Sequence, residues 1–364
     1  MRILQVVTLM SADGAYGGPA RVAVNQSEAL VRRGHSVTIV AAGVCAESPV
    51  CGVTYRLFPP RNLVPGTGFA GLAAPAMLPW AMRNVSGFDV VHIHLARDLV
   101  TLPMASLARL CRRPFVTQTH GMVDASEHRL ARPIDAVATR GALRSARAVF
   151  YLTERERSDL ICVAQQNISV QKLTNGVPVL PARLQQPYVE VLFLARLHPR
   201  KRADLFADMA DVILQENDSA IFTLVGPDEG EGAAIEARQR ARLRWEGALD
   251  PERTAARMAE AAIYVLPSID EPYPMSVLEA MAVGIPVIIT DSCGLATSVT
   301  RVGCGIVVPA GNLQALIEAV RRLLGDEALR VAMGSRGRAA AQSEFGTDAI
   351  AEQLEQHYEA AAGE

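Results

Sequence analysis

The stretch Pro267-Ser-Ile-Asp-Glu-Pro-Tyr-Pro-Met-Ser-Val-Leu-Glu-Ala-Met-Ala-Val-Gly-Ile-Pro-Val-Ile288 contains a strand end, a loop, a helix and the start of the next strand. It follows Ile263–Leu266, a short apolar run that reads as a buried parallel strand. Pro272 and Pro274 keep Glu271 in a loop, because a proline ring clashes with a helix continuing through it. From Met275 the apolar spacing is helical over 275–283, and Val287–Thr290 restores the strand pattern. The backbone N–H groups near Pro274, Met275, Ser276 and Val277 then form a helix N-terminus, a ready site for an anion. Glu279, about one turn in, is placed to accept hydrogen bonds from a ribose diol, and Glu271, in the loop, to meet a sugar. The competing reading is a solvated carboxylate pair beside an ordinary buried helix.

The same alternation extends in both directions. Upstream, strands are expected at 189–195, 221–225 and 242–245, with helices near 201–215 and 251–261. Downstream, helical patterns cover 312–324, 326–342 and 347–361. The N-terminal half repeats the theme: a strand over Ile3–Leu9, a polar glycine-bearing stretch, then a helix from Ala20 to about Arg33 ending at Gly34. Further strands are expected at 37–42, 53–58, 90–95, 115–119 and 148–152. Such β-α alternation predicts an α/β protein with two doubly wound, Rossmann-like parallel sheets and a cleft between them. Pro178, Pro181 and Pro187 mark the junction. The expected domains are residues 1–177, a linker over 178–188, residues 189–342, and a terminal helix over 343–364 that packs back on the first domain.

Composition narrows the function. The 364 residues carry a net charge of −2, divided unevenly. Residues 1–187 hold 20 Arg or Lys against 11 Asp or Glu, a balance of +9, while residues 188–364 hold 16 against 27, a balance of −11. A basic half suits an anionic acceptor or a membrane surface; opposite charges also suit two domains that attract each other. Almost every basic residue is arginine, so Lys172 and Lys201 stand out. The six cysteines show no CxxC pair or metal-ligand spacing and read as buried small hydrophobes in a reducing compartment. Met1-Arg2 leads into an apolar run too short for a signal peptide, and the apolar stretch Phe69–Met82 carries Pro75 and Pro79. The expected location is cytoplasmic, with peripheral contact at the inner face of the membrane through the basic half, including Arg61, Arg83 and a helix bearing Arg129, Arg132, Arg140, Arg144 and Arg147.

Other chemistry-bearing residues also follow strands. Arg196 and Lys201, five apart across a turn in Ala195-Arg-Leu-His-Pro-Arg-Lys201, can both face one diphosphate. Gly17-Gly18 precedes a helix after the first strand and is not a GxGxxG fingerprint, which weakens a dinucleotide reading. His120, in Thr119-His-Gly121, sits at a strand's carboxyl end. His92 and His94 share a strand face but have no acidic third ligand nearby, and no Asp-x-Asp occurs, so no metal is expected.

Taken together, these segments resemble glycosyltransferase family 4, the retaining family with the GT-B fold. The segment opening this section resembles its E-x7-E signature, and ARLHPRK its G-R-L-x-x-x-K-G turn, with Ala195 and Arg202 in place of the usual glycines. Gly17-Gly18, Thr119-His-Gly121, Asn175-Gly-Val177 and Val225-Gly-Pro227 match further family positions in order. The resemblance implies a nucleotide-sugar donor, UDP- or GDP-linked, bound by Gly17, Gly18, Arg196, Lys201, Pro274–Val277 and Glu279. It implies catalytic positions at His120, Glu271, Arg196 and Lys201, a sugar or lipid-linked acceptor in envelope polysaccharide or glycolipid synthesis, and no metal, cofactor or nucleic acid. A nucleotide-sugar 2-epimerase, which shares the architecture, and a silent sugar-nucleotide-binding module are the alternatives; a missing acceptor requirement would mark the first.

Overall fold

The computed structural model describes all residues except 11–16, 45–49, 65–67, 127–129, 217–218 and 364. The chain forms two compact units, Met1–Gly176 with the terminal segment from Thr347, and Val177–Gly346. It therefore passes from the first unit to the second after Gly176 and returns after Gly346.

The first unit holds strands β1 (Arg2–Leu9), β2 (Ser36–Ala42), β3 (Val53–Phe58), β4 (Arg61–Asn62), β5 (Leu72–Ala73), β6 (Val90–His94), β7 (Phe115–Gln118), β8 (Ala148–Tyr151) and β9 (Val170–Lys172). Seven of them form an all-parallel sheet in the order β3-β2-β1-β6-β7-β8-β9, and β4 and β5 make a small antiparallel pair. In register, Ile3 lies beside Val37 on one side and Val90 on the other. The chain winds outward from β1 in both directions, so β1 and β6 flank a topological switch point, where open α/β sheets bind ligands.

The second unit holds β10 (Glu190–Leu194), β11 (Ile221–Val225), β12 (Leu243–Trp245), β13 (Ile263–Leu266), β14 (Val287–Thr290) and β15 (Gly305–Val308). They pair in parallel in the order β12-β11-β10-β13-β14-β15, which puts its switch point between β10 and β13. The central strands are apolar on both faces because helices cover both sides, and Val191, Leu192, Phe193 and Ile263–Leu266 are fully buried.

Two edge strands, β9 and β15, lie beyond the expected set. Val170-Gln-Lys172 is short and half polar, and Gly305 opens β15 where glycine argues against a strand. Gly305 has a physical reason: a Cβ there would stand 2.0 Å from the Val287 carbonyl oxygen. Segment 178–188, expected as the linker, is held on the second unit, where Arg183 N–H donates to Val283 O (2.9 Å) and Leu184 N–H to Ala259 O (2.7 Å). Helix Thr347–Gly363 packs Ile350, Ala351, Leu354 and Tyr358 into the first unit's core beside Ile3, Leu30 and Phe150.

One expectation needs correction. Cys51, Cys111 and Cys162 are exposed, and only Cys293 and Cys304 among the described cysteines are buried; Cys45 lies outside the described residues. The stretch 69–82 is largely built into the first unit. It forms β5 and part of the helix Met77–Asn84, with Ala74, Met77 and Ala81 in the core, while Met82 is exposed. Among the described residues no helix is long and apolar enough to cross a membrane.

In the second unit the helices Met275–Val283 and Glu327–Ser343 approach closely: a Cβ on Gly334 would lie 2.1 Å from the Gly284 carbonyl oxygen. Gly334→Ala forces these backbones apart, so its unfolding free energy should fall by roughly 1–3 kcal/mol. Urea unfolding followed by tryptophan fluorescence, with Trp245 reporting on this unit, checks it. Wild-type stability in the variant would show that the helices separate without cost.

Candidate active site

In the second unit the loops leaving β10 and β13 interlock. Ile269 N–H donates to the Arg200 carbonyl (2.8 Å), and the Arg200 guanidinium donates to the Asp270 carbonyl. Asp270 takes a left-handed φ of 49°, a strained conformation for a residue with a Cβ, and its N–H donates to Ser292 Oγ at 3.2 Å. The turn that follows presents Glu271, whose carbonyl accepts from Gly294 N–H (2.8 Å). Glu271 Oε2 meets Lys201 Nζ at 2.5 Å, both side chains being mostly buried. The sequence assigned Lys201 to phosphate and Glu271 to sugar; the structure brings the two together as one charge-assisted pair. Beside it, burial pushes the Cys293 thiol up to about 12, with Glu271 adding to the rise and Lys201 opposing it.

Lys201 closes the short 3-10 turn Pro199–Lys201, which His198 caps by accepting from Arg200 N–H. Arg202 then adopts the left-handed conformation (φ 57°) that its replacement of glycine put in question. Its guanidinium pairs with Asp204 at 2.9 Å, which helps hold an arginine in a conformation that costs about 1–2 kcal/mol. Arg196 is about half exposed and points to Glu229 at 2.7 Å, so its guanidinium rests on a carboxylate. Gly226, which replaces any larger residue at the end of β11, has φ 146° and leaves only 2.0 Å between an added Cβ and the Ala195 carbonyl. The start of the β10 loop thus depends on that glycine.

Helix Met275–Val283 begins as expected. Pro274 is the N-cap with extended backbone, and no side chain caps the first turn, leaving orphan N–H groups. Ser276 Oγ accepts from the Tyr264 hydroxyl at 2.7 Å, tying the helix start to β13. Glu279 is 3% exposed.

In the first unit Gly17 and Gly18 belong to the first turn of the helix Gly17–Arg32, which starts earlier than the sequence suggested, while residues 11–16 of the preceding loop lie outside the described residues. A Cβ on Gly18 would meet nothing within 4 Å, so packing inside this unit does not demand glycine. His120 has a left-handed φ of 52°. Its ring turns inward: Nε2 lies 2.8 Å from His94 Nδ1, and Nδ1 is buried without a hydrogen-bond partner. His94 Nε2 donates to Gln5 Oε1 at 2.8 Å, so the neutral His94 ring accepts at Nδ1 and His120 donates from Nε2. His92 stacks on His94 at 4.6 Å and bonds the Tyr358 hydroxyl at 2.6 Å. These histidines form a column within the unit; among the described residues no group of three or more His, Cys, Asp and Glu is placed to hold a metal.

Two domain families match the chain in succession. Residues 17–176 match the glycosyl transferase 4-like domain and residues 182–340 the glycosyl transferases group 1 domain. The chain is a GT4-type, group 1 glycosyltransferase with the GT-B fold. It is 26% identical over 328 residues to the alpha-D-kanosaminyltransferase of Streptomyces kanamyceticus, covering 81% of this chain and 84% of that one. It is 28% identical over 338 residues to the same organism's 2-deoxystreptamine glucosyltransferase, covering 82% and 84%. The Anabaena protein HepE, solved with UDP and glucose, shares its fold at a TM-score of 0.76 and 18% identity, over 99% of this chain and all of that one.

Sequence reasoning missed two residues that shape the transferase's site loops. Glu229 holds Arg196, and nothing in the spacing of an exposed loop acid signals that. Glu156 is buried and accepts from Thr119 Oγ1 (2.5 Å), Gly121 N–H (2.6 Å) and Leu152 N–H (2.7 Å), which fixes the turn around His120. A signal for it existed: Thr153-x-x-Glu156 is a capping box, and Thr153 Oγ1 accepts from Glu156 N–H at 3.2 Å.

The arginines expected to face a membrane are partly committed elsewhere. Arg140 and Arg144 donate to the Val163 and Ala164 carbonyls, closing the end of the helix Glu154–Ala164, and Arg129 lies outside the described residues.

Burial lowers the pKa of His92 and of His120 to about 3, and that of His94 well below its usual value. The unfolded chain binds protons that these rings refuse, so the first unit's stability is fully present above about pH 6.5 and is lost as pH falls toward 3. Each ring contributes a slope of about 1.4 kcal/mol per pH unit in that window. Urea midpoints at pH 7 and pH 5 should diverge in the wild type and diverge less in His92→Gln, in which only His94 and His120 still refuse protons. An unchanged pH slope in the variant would remove His92 from this account.

Proposed function

We propose that this glycosyltransferase moves a sugar from a UDP- or GDP-linked donor to an acceptor hydroxyl with retention of anomeric configuration and without a metal. The observation that carries the reading is the Lys201–Glu271 pair in the second unit, set where the β10 and β13 loops interlock beside an uncapped helix N-terminus. A cation, a carboxylate and orphan N–H groups together suit a diphosphate with a sugar on one end and a ribose on the other. Lys201 and Arg196 hold the phosphates, exchanging their carboxylate partners for phosphate oxygens. Released from Lys201, Glu271 orients the sugar, and Glu279 binds the ribose. A role for His120 at the sugar requires either its backbone or a ring turned away from His94.

In the transfer, the bond from the anomeric carbon to the diphosphate oxygen breaks while the acceptor oxygen bonds to the same face of that carbon. The acceptor's proton passes to the departing diphosphate, giving the glycoside and a nucleoside diphosphate. The two basic side chains and the helix amides stabilise the charge that gathers on the leaving oxygens. For the acceptor we infer a sugar hydroxyl of an envelope polysaccharide or glycolipid, in keeping with the basic character of residues 1–187.

Lys201→Ala should lower kcat by about 10²–10³ with the fold intact by circular dichroism. Near-native turnover at saturating donor would refute the phosphate role. Activity with the accepted nucleotide sugar should also survive EDTA; loss that magnesium or manganese restores would overturn the metal-free scheme.

A further inference from the structure

The first unit also has a pocket at one edge of its sheet. Pro114 and Phe115, at the amino end of β7, form its floor, whereas His120 follows the carboxyl end of the same strand. The cavity has a volume of about 290 Å³, and among the described residues that line it are Arg109, Arg112, Arg113 and Arg147 and no acidic side chain.

Three helices end at this pocket. Arg109 lies in the last turn of the helix Thr101–Leu110, Ser145 closes the helix Arg140–Ser145, and Ala361 lies in the last turn of the helix Thr347–Gly363. The plain explanation for the arginines is that they offset the negative ends of these helices. The magnitudes do not balance. Three helix ends amount to roughly −1.5 charges. The guanidinium groups of Arg109, Arg112 and Arg113, which make no hydrogen bond or ion pair among the described residues, already supply three positive charges. An excess of positive charge therefore remains inside a concave site.

Two further observations point to an acceptor from outside. Arg113 has a buried Nε–H with no partner, a donor left unsatisfied. Arg112 is held at a left-handed φ of 51°, where an arginine is strained and glycine would be at ease. The loop turns tightly there, with Arg112 N–H donating to the Arg109 carbonyl (3.1 Å) and Arg113 N–H to the Ala108 carbonyl (2.9 Å). The turn brings three guanidinium groups to one cavity.

We propose that this pocket is a second anion site of the transferase, built for a phosphate dianion. Arginine forks match phosphate oxygens two at a time, and the cavity has room for a phosphate or diphosphate group. The phosphate belongs either to a small soluble molecule or to a lipid headgroup, and the two sources are separable.

The test uses the full chain carrying Arg196→Ala and Lys201→Ala, so that phosphate does not report on the donor loops. Inorganic phosphate, titrated calorimetrically at constant ionic strength, should bind one site per chain. Adding Arg112→Ala and Arg113→Ala should weaken that binding at least tenfold and abolish the rise in melting temperature that phosphate produces. If the arginines only offset helix ends, the added substitutions lower the melting temperature equally with and without phosphate and leave the titration unchanged, which overturns the proposal. So does the absence of any phosphate binding before they are added. Vesicles settle the source. Arginine-dependent co-sedimentation that is stronger with phosphatidic acid than with phosphatidylglycerol at equal charge assigns the site to a phosphomonoester headgroup. Arginine-dependent binding of phosphate with no such vesicle preference assigns it to a soluble phosphate.

Discussion

An all-parallel sheet releases every strand's chain at one edge, and the chemistry of this molecule depends on that constraint. In the second unit β11, β10, β13 and β14 lie side by side and all end there, so four loops far apart in sequence leave the sheet next to one another. Lys201 and Glu271, 70 positions apart, meet for this reason, as do Arg196 and Glu229. Backbone sterics set the tolerance: Gly226 admits the Ala195 carbonyl and so decides where the Arg196 loop begins.

The strands that carry candidate residues were legible because a buried parallel strand is a compact apolar run, and Ile221–Val225, Ile263–Leu266 and Val287–Thr290 are all of that kind. The edge strands β9 and β15 were not, since β9 is short and mostly polar and β15 opens on a glycine. The residues at the second unit's site were legible by type and position but not by partner. Proline placement locates Glu271 in a loop, yet nothing local to 267–288 announces that Lys201 will be its counterion. Pairing across a sheet edge is a property of strand order, and strand order is written in no single segment. His120 shows the same limit: its place at a strand end was readable, while the inward turn of its ring depends on His94 and Gln5 from two neighbouring strands.

The first unit buries polar groups that most cores avoid. Gln26 Nε2 donates to Gln118 Oε1 (3.1 Å), and Gln118 Nε2 donates to Asn175 Oδ1 (3.0 Å). Together with the histidine column, this chain of amides runs from the first helix to Asn175, one residue short of the last of the first unit before the crossing. Buried amides are satisfied in only a few geometries, so the network makes Asn175 sensitive to how the unit packs around it. Apolar packing there would be more forgiving and would specify the exit of the chain less sharply.

The second unit begins and ends at one point. Val177 N–H donates to the Phe345 carbonyl at 2.7 Å, although 168 positions separate them. A body whose entry and exit lie side by side behaves as a cassette. It can be lifted from one host and spliced into another without stretching either, and its own termini can be joined by a few residues and reopened elsewhere. Exchange of this whole unit between transferases would then cost only two cuts at adjacent positions, which gives the architecture a structural route to recombination as well as to divergence by point substitution.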